Sequence, residues 1–313
     1  MEVLRRGGLV GLPTETVYGL AADAENEVAV RRIFAVKGRP STHPLIVHLG
    51  SPDAVHAWVA RLPPEAEALA GAFWPGPLTL VLPRSTRASD TVTGGQGTVA
   101  VRVPAHPVAQ AVLRAFGGGL AAPSANRFGR VSPTRAEHVV ADLGDDVDVV
   151  LDGGPARVGV ESTIVDLSGP APVLLRPGGV TREALQQVLG RPLPGRASGK
   201  VRAPGMLPSH YAPRAGLVLS TRSEAAQLAE GLLASGRRVA VCSPPGVPTP
   251  EGAVYLAAPE DVSALARSLY DLLRAVDAAR VDVAVVVVPE EAGLGLAVLD
   301  RLRRAAAPRG PAE

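Results

Sequence analysis

The sequence predicts an α/β protein in two parts: a large N-terminal domain with a twisted mixed sheet flanked by helices, then a smaller C-terminal α/β domain with a mainly parallel sheet. Three observations predict it. From Leu9 to Leu189, short β-rich runs mix irregularly with helix-like stretches, and several strands follow one another with no helix between them. From Gly190 to Arg214 the chain is rich in Pro, Gly, Arg and Ser without apolar period, which is linker composition. Beyond it, a shorter alternation of strands and helices resumes. At 313 residues the chain exceeds the length, ~250–300 residues, at which one core usually stops growing. The boundaries that follow are 1–190, a linker at 191–215, and 216–313.

In order, the first part offers strands at Leu9–Leu12, Leu45–His48, Leu78–Leu82, Val99–Val103, Leu120–Ala122, Val147–Leu151, Thr163–Asp166 and Val173–Leu175. Its helices are expected at Glu27–Lys37, Pro64–Phe73, Pro107–Phe116, Ala136–Asp142 and Arg182–Leu189, with Thr181 and Pro133 as start signals. The second part offers strands at Leu217–Leu219, Val239–Cys242, Val254–Leu256 and Val283–Val288, and helices at Glu224–Ala234, Ser263–Ala279 and Leu294–Arg304.

Composition narrows the function classes. Four Phe, four Tyr and two Trp give no aromatic platform for stacking bases, and a formal net charge of +2 does not suggest a general nucleic-acid binder. Cys242 is the single cysteine, which excludes an intrachain disulfide and a Cys-based zinc knuckle; its apolar setting reads as a core thiol. The longest apolar stretch, Val283 to Val288, is far below the ~20 residues that span a bilayer, so a soluble cytoplasmic protein without membrane contact is expected. Neither a Walker-type phosphate loop nor a Gly-x-Ser-x-Gly elbow is present, and His43 and His48 lack metal-ligand spacing.

What remains is a set of cations and small hydrogen-bonding groups at element ends. The stretch Leu12–Leu20, reading L-P-T-E-T-V-Y-G-L, places two threonines, a glutamate and a tyrosine where the first strand stops, and α/β proteins put ligand groups at such ends. Lys37, Arg39, Arg102 and Arg176 lie beside strand or helix ends, accompanied by Ser124, Asn126, Ser132 and Ser162. Four cations with few carboxylates suit an anionic ligand such as a nucleotide. Each has a plainer reading: Lys37 and Arg39 could close a helix, Ser124 and Asn126 could form a turn, and Arg176 could sit in an exposed turn. Arg102 resists one, because it lies inside an apolar strand where an uncompensated charge is costly, so an internal or bound anion must meet it.

Several further motifs stand in fixed order. They are Lys37-Gly38-Arg39-Pro40, His43-Pro44-Leu45-Ile46-Val47-His48, Thr98–Pro104, Ala122-Pro123-Ser124-Ala125-Asn126, Ser132-Pro133-Thr134, Glu161–Asp166 and Leu175-Arg176-Pro177-Gly178. With the first motif, they resemble the YrdC-type domain of the threonylcarbamoyl-AMP synthases from about Leu4 to Leu189. Pro204-Gly205-Met206 and Ser209–Pro213 resemble the linker of the two-domain members, whose last part is Rossmann-like. The resemblance implies a nucleotidyltransferase that forms threonylcarbamoyl-adenylate and pyrophosphate from L-threonine, bicarbonate and ATP with Mg²⁺. The product serves downstream tRNA threonylcarbamoyl-transfer proteins acting on the adenosine next to the anticodon, and direct tRNA contact is at most weak. By the same resemblance, Thr16, His48, Arg102, the backbone of Ala122, and Ser162 line the threonine pocket. Arg39, His43, Thr98, Ser124, Asn126, Ser132 and Arg176 hold ATP, Tyr211 reaches across the nucleotide, and Lys37 joins Arg39 as the catalytic pair; no resident metal is implied. Phe128 departs from the pattern, standing where a small residue is common.

Two rivals remain at this stage. An RNA-binding module predicts salt-sensitive RNA affinity and no ATP consumption. A carbamoyltransferase subunit would carry Cys-rich zinc segments, which one cysteine cannot supply.

Overall fold

The computed structural model describes residues 1–195, 201–206 and 209–308. Residues 196–200 and 207–208 of the expected linker lie outside it. The chain divides into two compact units: residues 1–128 with 132–206, and residues 129–131 with 207–313.

The first unit runs α1 (Glu2–Arg5), β1 (Val10–Leu12), β2 (Gly19–Asp23), α2 (Glu27–Lys37), β3 (Ile46–His48), α3 (Pro64–Phe73), β4 (Leu78–Pro83), α4 (Asp90–Thr93) and β5 (Thr98–Arg102). It continues with α5 (Pro107–Phe116), β6 (Leu120–Ala121), α6 (Ala136–Leu143), β7 (Val149–Val150), β8 (Thr163–Asp166), β9 (Val173–Arg176) and α7 (Arg182–Leu189). The nine strands form one sheet in the order β7-β1-β2-β6-β3-β5-β4-β8-β9. Pairs β1/β7, β3/β5 and β4/β8 are parallel and the others antiparallel, so the sheet is mixed as expected.

Strand β2 is absent from the sequence expectation. Its residues, G-L-A-A-D, carry no β-branched side chain and no alternation, because four of the five are buried in mid-sheet. The Leu12–Leu20 motif is therefore a reversal between two antiparallel strands, with Leu12 opposite Gly19, rather than a strand-to-helix loop. The Pro133 start signal also falls two residues early, since α6 begins at Ala136 with Arg135 as its N-cap. Thr181 does cap α7, accepting from the Ala184 amide.

Helices α2, α3 and α7 cover one face of the sheet. Ile33, Phe34, Leu69, Ala70 and Leu185 pack there with Val47, Leu80, Val101 and Val165 of the strands. Full burial of each such Leu, Ile or Val contributes about 1.5–3 kcal/mol over leaving it in water. The sequence of β5, T-V-A-V-R, has period two, so Val99 and Val101 enter this core while Thr98, Ala100 and Arg102 take the opposite face.

The second unit contains β10 (Gly216–Ser220), α8 (Ala225–Ala234), β11 (Val239–Ser243), β12 (Val254–Ala257), α9 (Val262–Ala278), β13 (Val283–Val287) and α10 (Gly295–Ala306). Its sheet, ordered β10-β13-β11-β12, is parallel throughout. Cys242 is fully buried in β11, and burial pushes its thiol up to about 12, as befits a core residue. No helix among the described residues is long and apolar enough to cross a membrane.

Candidate active site

Cross-strand partners share a face of a sheet, and so do residues two apart on one strand. His48 lies opposite Arg102, and Ile46 opposite Ala100. Val81 lies opposite Ala100, Thr79 opposite Ile164, and Ile164 opposite Arg176. The face turned away from the main core thus carries Thr98, Arg102, His48, Thr79 and Arg176 around an apolar floor. That floor is Ile46, Val81, Ala100, Ile164 and Leu175, the last sharing the side of its neighbour Arg176 because the β8/β9 register shifts between Ile164 and Val165. It is covered by Ala203 with Val201 and Met206 beside it. Arg176 Nη1 donates to Pro204 O at 3.0 Å, and Arg202 N donates to Gln96 Oε1 at 2.6 Å, so 201–206 lies tied over the face.

The β1–β2 reversal is built by its own hydroxyls. Thr14 Oγ1 donates to Val17 O at 2.6 Å and lies 2.8 Å from Thr16 Oγ1, a local turn in the manner of short polar side chains. Tyr18 Oη donates to Gly154 O, and the Val158 amide donates to Glu15 O. The reversal is thereby fixed to the segment 152–158.

Into it reaches Arg102. Its Nη2 donates to Glu15 Oε1 at 2.7 Å, Nη1 to Thr16 Oγ1 at 2.9 Å and Nε to Gly76 O at 3.1 Å. Both members of the ion pair are at most 5% exposed. The anion required by a charge in an apolar strand is therefore internal, and it is Glu15.

His48 Nδ1 lies 3.3 Å from Ile46 O, and burial, reinforced by the neighbouring Arg102 charge, pushes the imidazole down to about 3. It is neutral at ordinary pH and contributes a hydrogen-bonding ring without a further positive charge. Between pH 3 and 6.5 the unfolded chain holds a proton on this ring that the folded chain does not, so this group makes stability rise with pH across that window. In His48→Gln, the pH dependence of the denaturation free energy should flatten there, by up to about 1.4 kcal/mol per pH unit at its steepest. Urea titrations at several pH values read this directly, and an unchanged slope would assign the ring a protonated state in the fold.

Lys37 is delivered by α2. Asn26 caps this helix by accepting from the Val28 and Ala29 amides, and Gly38 ends it at φ +63°, a left-handed cap that glycine takes without strain. The Lys37 Nζ is buried and donates to Ser124 O at 2.6 Å and Asn126 O at 2.5 Å, with Asn126 Oδ1 at 3.5 Å. Burial, aided by Arg39 and Arg127 and opposed by Asp142, holds its ammonium well below the usual lysine range. Arg39 Nη2 donates to Pro44 O, and its guanidinium stands 5.7 Å from the centre of the Phe128 ring, against which His43 is tilted at 5.5 Å.

Ser162 Oγ is 2.7 Å from Thr79 Oγ1 and receives Arg176 Nη2 at 3.1 Å, while Arg176 also donates twice to Ser162 O. A Cβ at Gly178 would stand 2.3 Å from Glu161 O, which accounts for glycine after Arg176-Pro177. Ser132 Oγ donates to Glu161 Oε1 at 2.7 Å. The Ala122 amide donates to Ile46 O, Gly19 bridges Ser124, and Thr98 begins β5 at the far end from Arg102.

The geometry thus joins Thr16 to Arg102 and His48, Ser162 to Arg176, Lys37 to Ser124 and Asn126, and Arg39 to His43 through Phe128. Tyr211 belongs to the second unit. Its ring is buried there at φ +63°, 5.8 Å from Tyr270 and 5.2 Å from the Arg301 guanidinium. Sequence reasoning did not assign roles to Glu15, Thr79 and Glu161. The signal for Glu15 was present, since it is the one carboxylate in the motif and Arg102 demanded a partner. No group of three or more His, Cys, Asp or Glu that could hold a metal occurs among the described residues.

Taken together, the mixed sheet, its cation-bearing face and the parallel second sheet make a two-unit α/β protein whose first unit offers groups suited to an anionic ligand. Residues 2–178 match the family Sua5_yciO_yrdC, described as telomere recombination. Residues 180–307 match Sua5_C, described as the threonylcarbamoyl-AMP synthase C-terminal domain. The chain is 44% identical to a threonylcarbamoyl-AMP synthase of Pyrococcus abyssi, over 96% of this chain and 91% of the relative. It is 41% identical to that of Bacillus subtilis, over 98% and 92%. Its fold is similar to the crystal structure of P. abyssi Sua5 complexed with L-threonine, with TM-score 0.92, 42% identity, and 97% and 92% of the two chains covered. The chain belongs to the threonylcarbamoyl-AMP synthase family.

Proposed function

We propose that the enzyme forms threonylcarbamoyl-adenylate and pyrophosphate from L-threonine, bicarbonate and ATP. In this reading the adenylate supplies cytoplasmic proteins that modify the adenosine next to the tRNA anticodon. The observation that carries it is the sheet face on which two buried guanidiniums, Arg102 and Arg176, stand among Thr16, His48 and Ser162. The threonine complex of the P. abyssi relative supports the amino-acid half.

Arg102, Thr16, His48, Ser162 and the Ala122 backbone hold threonine, the guanidinium taking its carboxylate. Arg39, His43, Thr98, Ser124, Asn126, Ser132 and Arg176 hold ATP, Arg39 faces the phosphates, and Lys37 acts by holding the turn that carries Ser124 and Asn126. The neutral amine adds to carbon dioxide drawn from bicarbonate and gives a carbamate, the amine proton leaving with the hydroxide that bicarbonate sheds, as water. A carbamate oxygen then attacks the α-phosphorus; its new P–O bond forms as the α–β bridging P–O bond breaks, and the electron pair leaves with pyrophosphate. Positioning and charge neutralisation suffice for this displacement, so a protein nucleophile is not needed. Mg²⁺ enters with the nucleotide, in keeping with its habit of binding through phosphates and water. A neutral His48 leaves the amine region free of an extra repelling cation.

Incubation with ATP, Mg²⁺, bicarbonate and each amino acid in turn tests the reading. Pyrophosphate should appear only with threonine and only with bicarbonate. Release that is indifferent to either would refute it.

A further inference from the structure

The Glu15 carboxylate is only half used. Oε1 receives Arg102 Nη2, but Oε2 is buried and has no hydrogen-bond partner among the described residues. A buried carboxylate oxygen without a donor is among the costlier features a fold can retain, and it persists where a ligand completes it. On the other side of the pair, Arg102 uses three of its five N–H donors among the described residues. The backbone around Glu15 is held rigidly: its carbonyl accepts from Val158, and Thr14 and Thr16 on either side are hydrogen-bonded. The carboxylate is therefore fixed, not a surface group that can turn to water.

We propose that Glu15 is a specificity-determining residue for the amino-acid substrate, its Oε2 accepting a hydrogen bond from the substrate's α-amino group while Arg102 binds the α-carboxylate. An amino acid presents a negative and a positive group on adjacent carbons. A guanidinium locked beside a carboxylate presents the complementary pair, both side chains at most 5% exposed. The inference rests on the placement of threonine at Arg102 and deepens it. It explains why a site that needs cations keeps a buried acid at its centre. It also gives the amine an acceptor that holds its lone pair in a defined direction before the carbamate forms.

Calorimetric titration of the full-length protein tests this with two ligands, L-threonine and 2,3-dihydroxybutanoate, in which a hydroxyl replaces the ammonium. The wild type should bind threonine at least tenfold more tightly than the hydroxy acid, since a hydrogen bond to a charged partner supports roughly that ratio or more. Glu15→Gln keeps an acceptor for Arg102 but turns a donor amide toward the ammonium. It should weaken threonine binding on the order of tenfold to a hundredfold, while the hydroxy acid and ATP bind as in the wild type. A purely structural role predicts equal losses for both ligands, and that result overturns the proposal. So does equal affinity of the wild type for the two ligands, which needs no variant at all. If the wild type binds neither ligand, the placement of threonine at Arg102 is what fails.

Discussion

Replacing Arg102 by Met is expected to abolish threonine-dependent pyrophosphate release and to destabilise the first unit by about 3–5 kcal/mol, the usual cost of stranding one member of a buried ion pair. Three donors leave with the guanidinium. Gly76 O loses its donor, Thr16 Oγ1 is left with Thr14 Oγ1 alone, and Glu15 becomes an uncompensated buried carboxylate. The stability loss therefore belongs chiefly to Glu15, and a second change separates it from function. Arg102→Met combined with Glu15→Gln should recover part of the lost stability, with a coupling on the order of 1–3 kcal/mol, and none of the activity. Urea denaturation of the four proteins gives the cycle, and the pyrophosphate assay gives the function. An Arg102→Met enzyme with ordinary turnover would remove the guanidinium from any part in binding the substrate.

Lys37→Met should come close to it in effect. Methionine matches the lysine stem in length and fills the same space, but it donates nothing to Ser124 O and Asn126 O. Each lost hydrogen bond from the charged ammonium costs about 1.5–3 kcal/mol, partly offset because an amine no longer has to be desolvated and because Ser124 O keeps the Asn126 amide as a donor. The turn Ala122–Asn126, which places Ser124 and Asn126, loses the tie that fixes it to α2. Threonine-dependent pyrophosphate release should drop at least ~100-fold, as when a positioned electrostatic donor is lost. Amide exchange should quicken at Phe128, whose N–H donates to Lys37 O, and at Ala125, whose N–H donates to Tyr18 O. Lys37→Arg should not rescue activity, because a planar guanidinium cannot occupy a cage of backbone carbonyls shaped for a compact ammonium. Retained activity in Lys37→Met with unaltered exchange would show the clamp to be dispensable.

Much of the fold was legible because its elements obey simple periods. Helix α2 announces itself by Asn26 before it, Gly38 after it, and buried positions at 29, 30, 33 and 34. Strand β5 announces itself by alternation alone. Strand β2 did not, since a short run of small residues buried on both sides carries neither a period nor bulky β-formers. The site was legible one half at a time. The cations stood out because they lie beside strand and helix ends, and Arg102, inside an apolar strand, even foretold that an anion must face it. The identity of that anion was hidden because Glu15 and Arg102 lie 87 positions apart, brought together only when the β1–β2 reversal folds onto the end of β5. Glu161 and Thr79 were hidden likewise, since they act on Ser132 and Ser162 rather than on anything a motif displays.

The two-sided character of β5 constrains how such a chain can vary over generations. Deleting or inserting one residue within T-V-A-V-R would exchange the sides, bringing valines to the reacting groups and forcing a guanidinium into oil. Drift in that ribbon can therefore proceed by replacement alone, one letter at a time on either side. Changes in length must be confined to the connecting turns.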